Sequence, residues 1–326
     1  MAKLTNLPKI SVVVPTRNNR EELMRDLAPS LFARAGASFV QDAGLSEEES
    51  PWLETILVDQ SRTPELEAAL TEAGLLPNHR ISYVWTPEQC GISRARNLGV
   101  SLSRGEIVVF LDSDIRVSPD HVIAIARKFV EHPEIDALFG PVLADVATSE
   151  AHENGTIPVF VPGEACIVRP GECADHPVMG ANFAIRREVA LRFPFDEFLG
   201  AGGDFPSFEE VDQLLRLHRE GHSYGIFMEP TVHHTGVRVG AEVKTWANDT
   251  ERGRGAVHAK QLMRGELGCL RDGPEMILKL AWSNFKRVGK PQGITRLLPY
   301  YKGLVEGLTT YELDREQMVY RGRRWS

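Results

Sequence analysis

Ile107-Val108-Val109-Phe110-Leu111-Asp112-Ser113-Asp114 is the stretch on which the fold turns. Five apolar, strand-forming residues run directly into two acids spaced by one residue. An uninterrupted apolar run of this length reads as a strand buried on both faces, as at the centre of a parallel sheet. The acids then fall just past its carboxyl end, where open α/β sheets bind ligands. Asp112 and Asp114 could share one hard divalent cation there, and that cation could hold a diphosphate. The alternative is that one acid only caps the helix expected to start near Pro119.

Upstream, Ile10-Ser11-Val12-Val13-Val14 is a second buried strand, stopped by Pro15-Thr16-Arg17-Asn18-Asn19. Glu21 to Phe32 has helical spacing, with Leu23, Leu27, Leu31 and Phe32 on one side. A strand, a polar turn and a helix start can deliver backbone N–H groups to a nucleotide. The turn has no Gly-rich phosphate fingerprint, so it is neither a Walker nor a dinucleotide motif. Residues 36–51 read as a surface insertion. Glu54 to Asp59 is a strand ending in an acid, Pro64 opens a helix to about Ala73 and Ile81 to Val84 is a short strand. Gly91 to Ser103 is a helix. Strands alternating with helices over this half imply a mostly parallel sheet with right-handed crossovers.

Downstream, Pro119 to Glu131 is expected to be helical, Ala137 to Val142 a strand, and residues 144–178 rich in loops. Gly180 to Arg187 is strand-like after a Gly turn. Phe198 to Phe208 is flexible, with Gly200, Gly202 and Gly203. Glu209 to Arg219 is a helix stopped by Gly221. A strand at Tyr224 to Met228 precedes Val232-His233-His234. From Val239 onward the pattern is helical, with one helix starting at Asp272-Gly273-Pro274 and another running from about Ile294 to Thr309.

The 326 residues, of ordinary globular composition, are ample for a core. No signal peptide and no apolar run of roughly 20 residues is seen, so the chain is expected to be cytoplasmic. Its 4 Cys are then expected to be reduced thiols. Cys166, Cys173 and His176 lack the spacing of a common zinc site. No Gly-x-Ser-x-Gly elbow suggests a hydrolase, and no basic stripe with interleaved aromatics suggests nucleic-acid binding. The net charge of −8 hides an asymmetry: residues 238–326 carry 17 Lys+Arg and 10 Asp+Glu, residues 1–237 carry 20 and 35. A basic end on an acidic body points to an anionic partner, such as a membrane surface, a lipid phosphate or an acidic subunit, or simply to a solvated face.

In their order, seven of these pieces resemble a family-2 glycosyltransferase of the GT-A fold. They are Ser11–Val14 with Pro15-Thr16-Arg17-Asn18; Val58-Asp59; Gly91-Ile92-Ser93-Arg94-Ala95-Arg96-Asn97-Leu98-Gly99; Phe110 to Asp114; Gly180-Ala181-Asn182; Glu209-Glu210-Val211-Asp212-Gln213-Leu214; and Val232-His233-His234. The resemblance covers roughly residues 8–236. It implies an inverting transfer from a nucleotide-diphosphate sugar to a hydroxyl. Thr16, Arg17 and Asp59, with Pro15 and Asn18 beside them, match the slot for the base and ribose. Asp112 and Asp114, flanking Ser113, match the Asp-x-Asp motif, with Asp114 favoured as the direct metal ligand. Arg96 matches a position facing the nucleotide end, and Gly180-Ala181-Asn182 a loop framing the donor sugar and acceptor.

Glu210 matches the general base, preceded by Glu209. The family usually has Glu-Asp there, so Glu210, Glu209 and Asp212 all remain candidates. Gln60 stands where a second acid is common, so the nucleotide is not named. His233 and His234 match the position of a further metal ligand. Adjacent residues on an extended piece point to opposite sides, so one of them serves, with His234 favoured. The implied cofactor is Mn²⁺ or Mg²⁺, and an imidazole suits Mn²⁺ better.

The expected architecture is therefore α/β: a GT-A (Rossmann-like), mostly parallel central sheet flanked by helices, in residues 1–237. Its nucleotide-binding part spans about 8–115 and its acceptor part about 116–237, and a helical C-terminal extension fills 238–326. The expected partners are a nucleotide-diphosphate sugar and a glycan or lipid-linked acceptor, in polysaccharide or glycoconjugate biosynthesis. Trp282, Phe285, Lys286 and Arg287 could bring the extension to the inner face of a membrane; packing on the catalytic domain or in a homo-oligomer is the alternative. Two rival functions stand beside this one. A nucleotidyltransferase would carry a Gly-rich N-terminal loop, which is missing here. A non-catalytic nucleotide- or glycan-binding module would not need Asp112, Asp114 and an acid at 210.

Overall fold

Seven consecutive buried residues form β1 (Ile10–Thr16), and seven more form β2 (Leu53–Asp59) parallel to it. Burial of both faces is what a run without polar alternation requires. The structure, a computed structural model, describes residues 7–32, 53–76, 80–118, 120–151, 155–172, 177–268, 273–275, 278–279, 282 and 294–323. The expected insertion at 36–51, Pro119, Asp272, Cys173, His176 and the segment Phe285-Lys286-Arg287 lie outside the described residues.

β3 (Ile81–Trp85) adds parallel to β2, and β4 (Ile107–Leu111) pairs parallel to the other side of β1. The chain therefore reverses its direction of travel across the sheet at β1 and β4. The crevice beyond the carboxyl ends of these two strands is the topological switch point of an open α/β sheet. All five residues of β4 are buried, as its sequence predicts.

The next strands are β5 (Ile115–Val117), β6 (Ile135–Phe139), β7 (Val142–Ala144), β8 (Cys166–Val168), β9 (Asn182–Arg186), β10 (Ser223–Ile226) and β11 (Val232–His234). The main sheet has eight strands in the order β3-β2-β1-β4-β9-β6-β10-β8. β9 runs antiparallel to both β4 and β6, and β8 antiparallel to β10, so the sheet is mixed at this side. Register across the antiparallel strand aligns Phe110, Phe183 and Phe139. Their rings stack with centroids 5.4 and 4.5 Å apart, a cross-strand aromatic core that fixes β9 against its neighbours. The other strands, β5, β11 and β7, form a separate three-stranded sheet.

Three details differ from the sequence reading. The helix at 20–32 is π in its centre, Leu23–Leu27, where the Ala28 N–H reaches back to the Leu23 carbonyl. Pro29 has no N–H to return to Arg25, which is why the turn before it widens. The single strand expected at 137–142 is two, β6 and β7, in different sheets. The loop-rich segment 144–178 holds a short helix, Val146–Ala151, and β8.

The chain groups into two compact units. One comprises Met1–Cys90, Arg94–Pro194 and Gln213–Arg238 and contains both sheets described above. The other comprises Gly91–Ser93, Phe195–Asp212 and Val239–Ser326. In this second unit, helix Ala241–Met263 packs on helix Leu297–Thr309 through glycines. A Cβ on Gly255 would meet the backbone of Gly303 and Leu304, so only glycine lets the helices approach this closely. The unit also holds a hairpin, β12 (Tyr311–Asp314) and β13 (Val319–Arg323), which an all-helical reading of the extension missed. Its four-residue turn, Arg315 to Met318, has no Asn-Gly or Asp-Gly signal; Met318 itself takes positive φ. No helix among the described residues is long and apolar enough to cross a membrane.

Helix His121–Glu131 buries His121 completely. Burial pulls the imidazole down to about 4, against weaker opposing pulls from the Thr231 backbone and Asp120. The unfolded chain therefore takes up this proton near pH 6.5 and the folded chain only near 4. Stability is present above 6.5 and is lost as the pH falls between these values, by up to about 3 kcal/mol. Urea melts at pH 7 and pH 4.5 should show that His121→Leu loses about 2 kcal/mol less than the wild type over this interval. Identical pH dependence in the two proteins would refute the assignment.

Candidate active site

Past the end of β4 the chain turns through Asp112-Ser113-Asp114 into β5. β5 pairs antiparallel with β11, with Ile115 opposite His234, so register alone brings His234 to Asp114. His234 Nε2 lies 3.7 Å from Asp114 Oδ1. Candidate ligand atoms of Asp112, Asp114 and His234 all lie within 4.8 Å of one another. His234 is buried and His233, on the opposite face of β11, is half-buried and outside the cluster. Gly236 follows closely, and any Cβ there would collide with Asp114 Oδ2 and the His234 ring. The Gly236 N–H donates to His234 Nδ1 at 3.1 Å. With Nδ1 accepting, the neutral ring carries its proton on Nε2, the nitrogen that faces Asp114.

Burial, together with the charge of Asp112, pushes the Asp114 carboxyl up, against the pull of His234 and Arg238. Two acids and an imidazole grouped this way could hold a metal ion. Arg96, 1% exposed, donates from Nη2 to Asp112 Oδ1 at 3.2 Å and to the Gly180 carbonyl at 3.3 Å. Its guanidinium lies over the Phe110 ring, 5.8 Å from the centroid. A Cβ on Gly180 would come within 3.1 Å of the guanidinium nitrogens. Arg96, Asp112 and Gly180 are thus one assembly. Ala181 and Asn182 are buried behind it. Asn182 spends its amide on the Pro141 and Pro230 carbonyls, at 3.0 and 2.8 Å, and so acts within the fold.

A second layer holds the cluster. Asp26, buried in the π turn, accepts from Arg116 Nη2 at 2.7 Å and from Thr235 Oγ1 at 2.8 Å. The Thr235 N–H donates to the Asp114 carbonyl at 2.8 Å. Arg116 also bonds Asp145 Oδ2 at 2.8 Å. Burial opposes the charge of Asp26, but hydrogen bonds from Arg25, Thr235 and Arg116 prevail and hold its carboxyl below the usual range. Sequence reading missed Asp26, Arg116, Thr235 and Gly236. The Thr-Gly directly after His-His was the available signal for the last two.

The turn after β1 forms a polar slot beside β2. Pro15 and Thr16 are buried, and Arg17 and Asn18 are exposed. Asn18 takes φ +57°, a conformation Asn tolerates better than most residues, and its N–H donates to Ser61 Oγ at 2.8 Å. Asp59 is fully buried and accepts from the Ser61 N–H at 2.8 Å and the Tyr83 O–H at 2.7 Å. A cleft of about 330 Å³ opens here, lined by Thr16, Asn18, Ser61 and Thr63, by Glu21, Glu22 and Glu65, and by Arg20, which pairs with Glu65 at 3.3 Å. Three acids against one arginine leave its lining net acidic. It does not include the Asp112–Asp114–His234 cluster. Asn19 links the two regions, with Nδ2 donating to Ser113 Oγ at 3.2 Å.

In the second unit, Glu209, Glu210 and Asp212 occupy the first turn of helix Glu209–Arg219. Glu209 is buried and packs on Gly200, where a Cβ would come within 3.0 Å of its carboxyl carbon. Asp212 is buried in an ion pair with Lys260 at 2.8 Å. Glu210 is half-buried.

The family described as Glycosyl transferase family 2 matches residues 11–209. The chain belongs to glycosyltransferase family 2. Among curated relatives, the O-antigen biosynthesis protein RfbC of Myxococcus xanthus is 26% identical over 234 residues, covering 72% of this chain and 16% of the relative. The chain spans between 14% and 62% of the length of the first curated relatives it matches. A mannosyltransferase of Pyrobaculum calidifontis, solved with GDP-Man and Mn²⁺, has a TM-score of 0.59 at 16% identity and covers 93% of this chain and 88% of its own. TarS 1–349 of S. aureus, solved with UDP-GlcNAc, has a TM-score of 0.58 at 16% identity, covering 92% and 81%. These likenesses show the fold: an α/β GT-A arrangement with a large, mainly parallel central sheet flanked by helices.

Proposed function

We propose that this family-2 glycosyltransferase chain moves one sugar from a nucleotide-diphosphate donor to a hydroxyl, with inversion, in the synthesis of a polysaccharide or glycoconjugate. The observation that carries the reading is the convergence of Asp112, Asp114 and His234 at the switch-point end of β4 in a chain of this family. A divalent cation, Mn²⁺ or Mg²⁺, would be held by these residues and would stabilise the diphosphate as the sugar–oxygen bond breaks. Arg96 orients Asp112 and adds positive charge on the same side. Thr16, Asn18 and the turn beside Asp59 receive the base and ribose. Glu210 removes the proton of the attacking hydroxyl. Glu210 stands at the position that the family resemblance implies for the base and is half-buried in the first turn of helix Glu209–Arg219.

The acceptor is a glycan or a lipid-linked glycan. The nucleotide-binding part of the catalytic domain is assigned to about 8–115, its acceptor part to about 116–237, and the extension to 238–326. Trp282, Leu298, Tyr301 and Val305 are exposed in that basic extension, which supports a peripheral contact with an anionic leaflet.

Thermal shifts with UDP-, GDP-, dTDP- and CMP-sugars, each with Mn²⁺, Mg²⁺ or EDTA, test the reading. A ligand at about 100 times its Kd stabilises the folded state by about 2.7 kcal/mol, which raises Tm by a few degrees. One nucleotide class should give this shift, and only with metal. A folded protein that shifts with no donor would overturn the proposal.

A further inference from the structure

Lys260 is a charged residue in a place where charge is expensive. It lies on helix Ala241–Met263 and is 2% exposed. Its ammonium contacts Asp196 Oδ2 and donates to Asp212 Oδ1 at 2.8 Å. Both acids are fully buried as well. Asp196 is itself tied down, with Oδ1 accepting the Phe198 N–H at 2.9 Å and Oδ2 the Tyr320 N–H at 2.8 Å. Tyr320, in β13, closes the cage: its ring lies 4.9 Å from Lys260 Nζ and its O–H donates to the Ala256 carbonyl at 2.8 Å. Burial and the charges of Asp196 and Asp212 push its phenol up, so it stays a neutral donor.

Apolar residues could hold this helix in place with less desolvation cost, so the buried triad is weak evidence for stability alone. What it adds is a fixed geometry. Asp196 and Asp212 are the two ends of one segment, and one ammonium sets the distance between them. Inside the segment the Gly-rich loop closes on itself. The Phe205 N–H bonds the Phe198 carbonyl and the Gly200 N–H bonds the Phe205 carbonyl, both at 2.8 Å. The loop delivers the chain to Glu209 and Glu210. Asp212 and Glu210 share the first turn of one helix, so a shift of one moves the other.

We propose that Lys260 is a positioning residue for turnover: by clamping Asp196 and Asp212 it holds the helix start that carries Glu209 and Glu210 in one arrangement. The inference rests on the reading of Glu210 as base. It also gives the basic extension a role within the reaction unit, independent of any membrane.

The test uses the full chain with Lys260→Met, Asp196→Asn and the double variant. Amide hydrogen exchange of peptides within 196–212 needs no substrate, and should accelerate at least tenfold in Lys260→Met while peptides over 107–117 stay unchanged. With the nucleotide sugar that gives the metal-dependent thermal shift, kcat should fall about 100-fold and donor KM should stay within about twofold. A residue needed only for folding would lower the active fraction and leave the exchange of 196–212 in the folded protein unaltered. Asp196→Asn should lower kcat about tenfold, and the double variant should be no worse than Lys260→Met. If Lys260→Met does not fold, the same exchange and kinetic readouts on Asp196→Asn decide the question. Unchanged exchange, or a kcat within threefold of wild type, would overturn the clamp. A large loss in Lys260→Met beside full activity in Glu210→Gln supports the clamp and removes Glu210 as base.

Discussion

Asp114→Ala is expected to abolish the metal-dependent donor shift and to lower turnover on the order of 10³-fold. The leaving diphosphate develops charge that a cation would answer, and Asp114 is the acid of the cluster that faces His234, at 3.7 Å. Asp112 remains in the variant, but its Oδ1 already faces Arg96 at 3.2 Å. The metal-free variant should melt no lower than the metal-free wild type. Burial and Asp112 push the Asp114 carboxyl up, so its folded value lies above its unfolded one and its ionised form detracts from stability at pH 7. Thermal melts with EDTA and with Mn²⁺ separate the two statements. A preserved Mn²⁺-dependent shift in Asp114→Ala would place the metal elsewhere.

Glu210→Gln is expected to keep donor and metal binding and to lower kcat about 10³-fold, within the range a general base contributes. Gln preserves the shape and the hydrogen-bonding reach but cannot accept the hydroxyl proton. The substitution does not touch Asp112, Asp114 or His234, so the thermal shift with donor and Mn²⁺ should match the wild type. Glu209→Gln should also lose activity, through the packing on Gly200, with a lower Tm as its signature. Steady-state kinetics beside melts distinguish the two. Wild-type kcat in Glu210→Gln would reject Glu210 as the base.

The strands of the first 115 residues were legible because hydrophobic patterning is local. Ile10 to Val14, Ile56 to Val58 and Ile107 to Leu111 are short, largely apolar runs bounded by polar residues, and all three lie in strands buried on both faces. The helix Glu209–Arg219 was read to the residue from its stop at Gly221 and its apolar spacing. The hairpin Tyr311–Arg323 was not legible: its strands are short, its turn lacks a Gly pair, and its stability comes from packing. Tyr311 and Tyr320 pack against each other and against Phe205, more than a hundred residues away in the chain.

The candidate site divides along the same line. Asp112 and Asp114 could be named from sequence because they sit at the end of the strand that organises the fold. The choice between His233 and His234 could only be reasoned from alternation, and the pairing of Ile115 with His234 is what turns that residue toward the acids. The sequence likewise placed Glu210 at the matching position for the base and left Glu209 and Asp212 open beside it. In the structure Asp212 meets Lys260 and Glu209 meets Gly200, contacts that no local pattern announces.

By itself, then, the sequence determined what short-range pattern can encode: which runs are buried strands, where helices stop, and which acids follow a strand's carboxyl end. Tertiary structure alone decided the direction of β9, the supporting contacts of Asp26, Arg116 and Thr235, and the burial of Lys260 between two acids. Those depend on partners distant in the chain. No local pattern encodes them, because the free energy of a buried charge is set by the groups that fold around it.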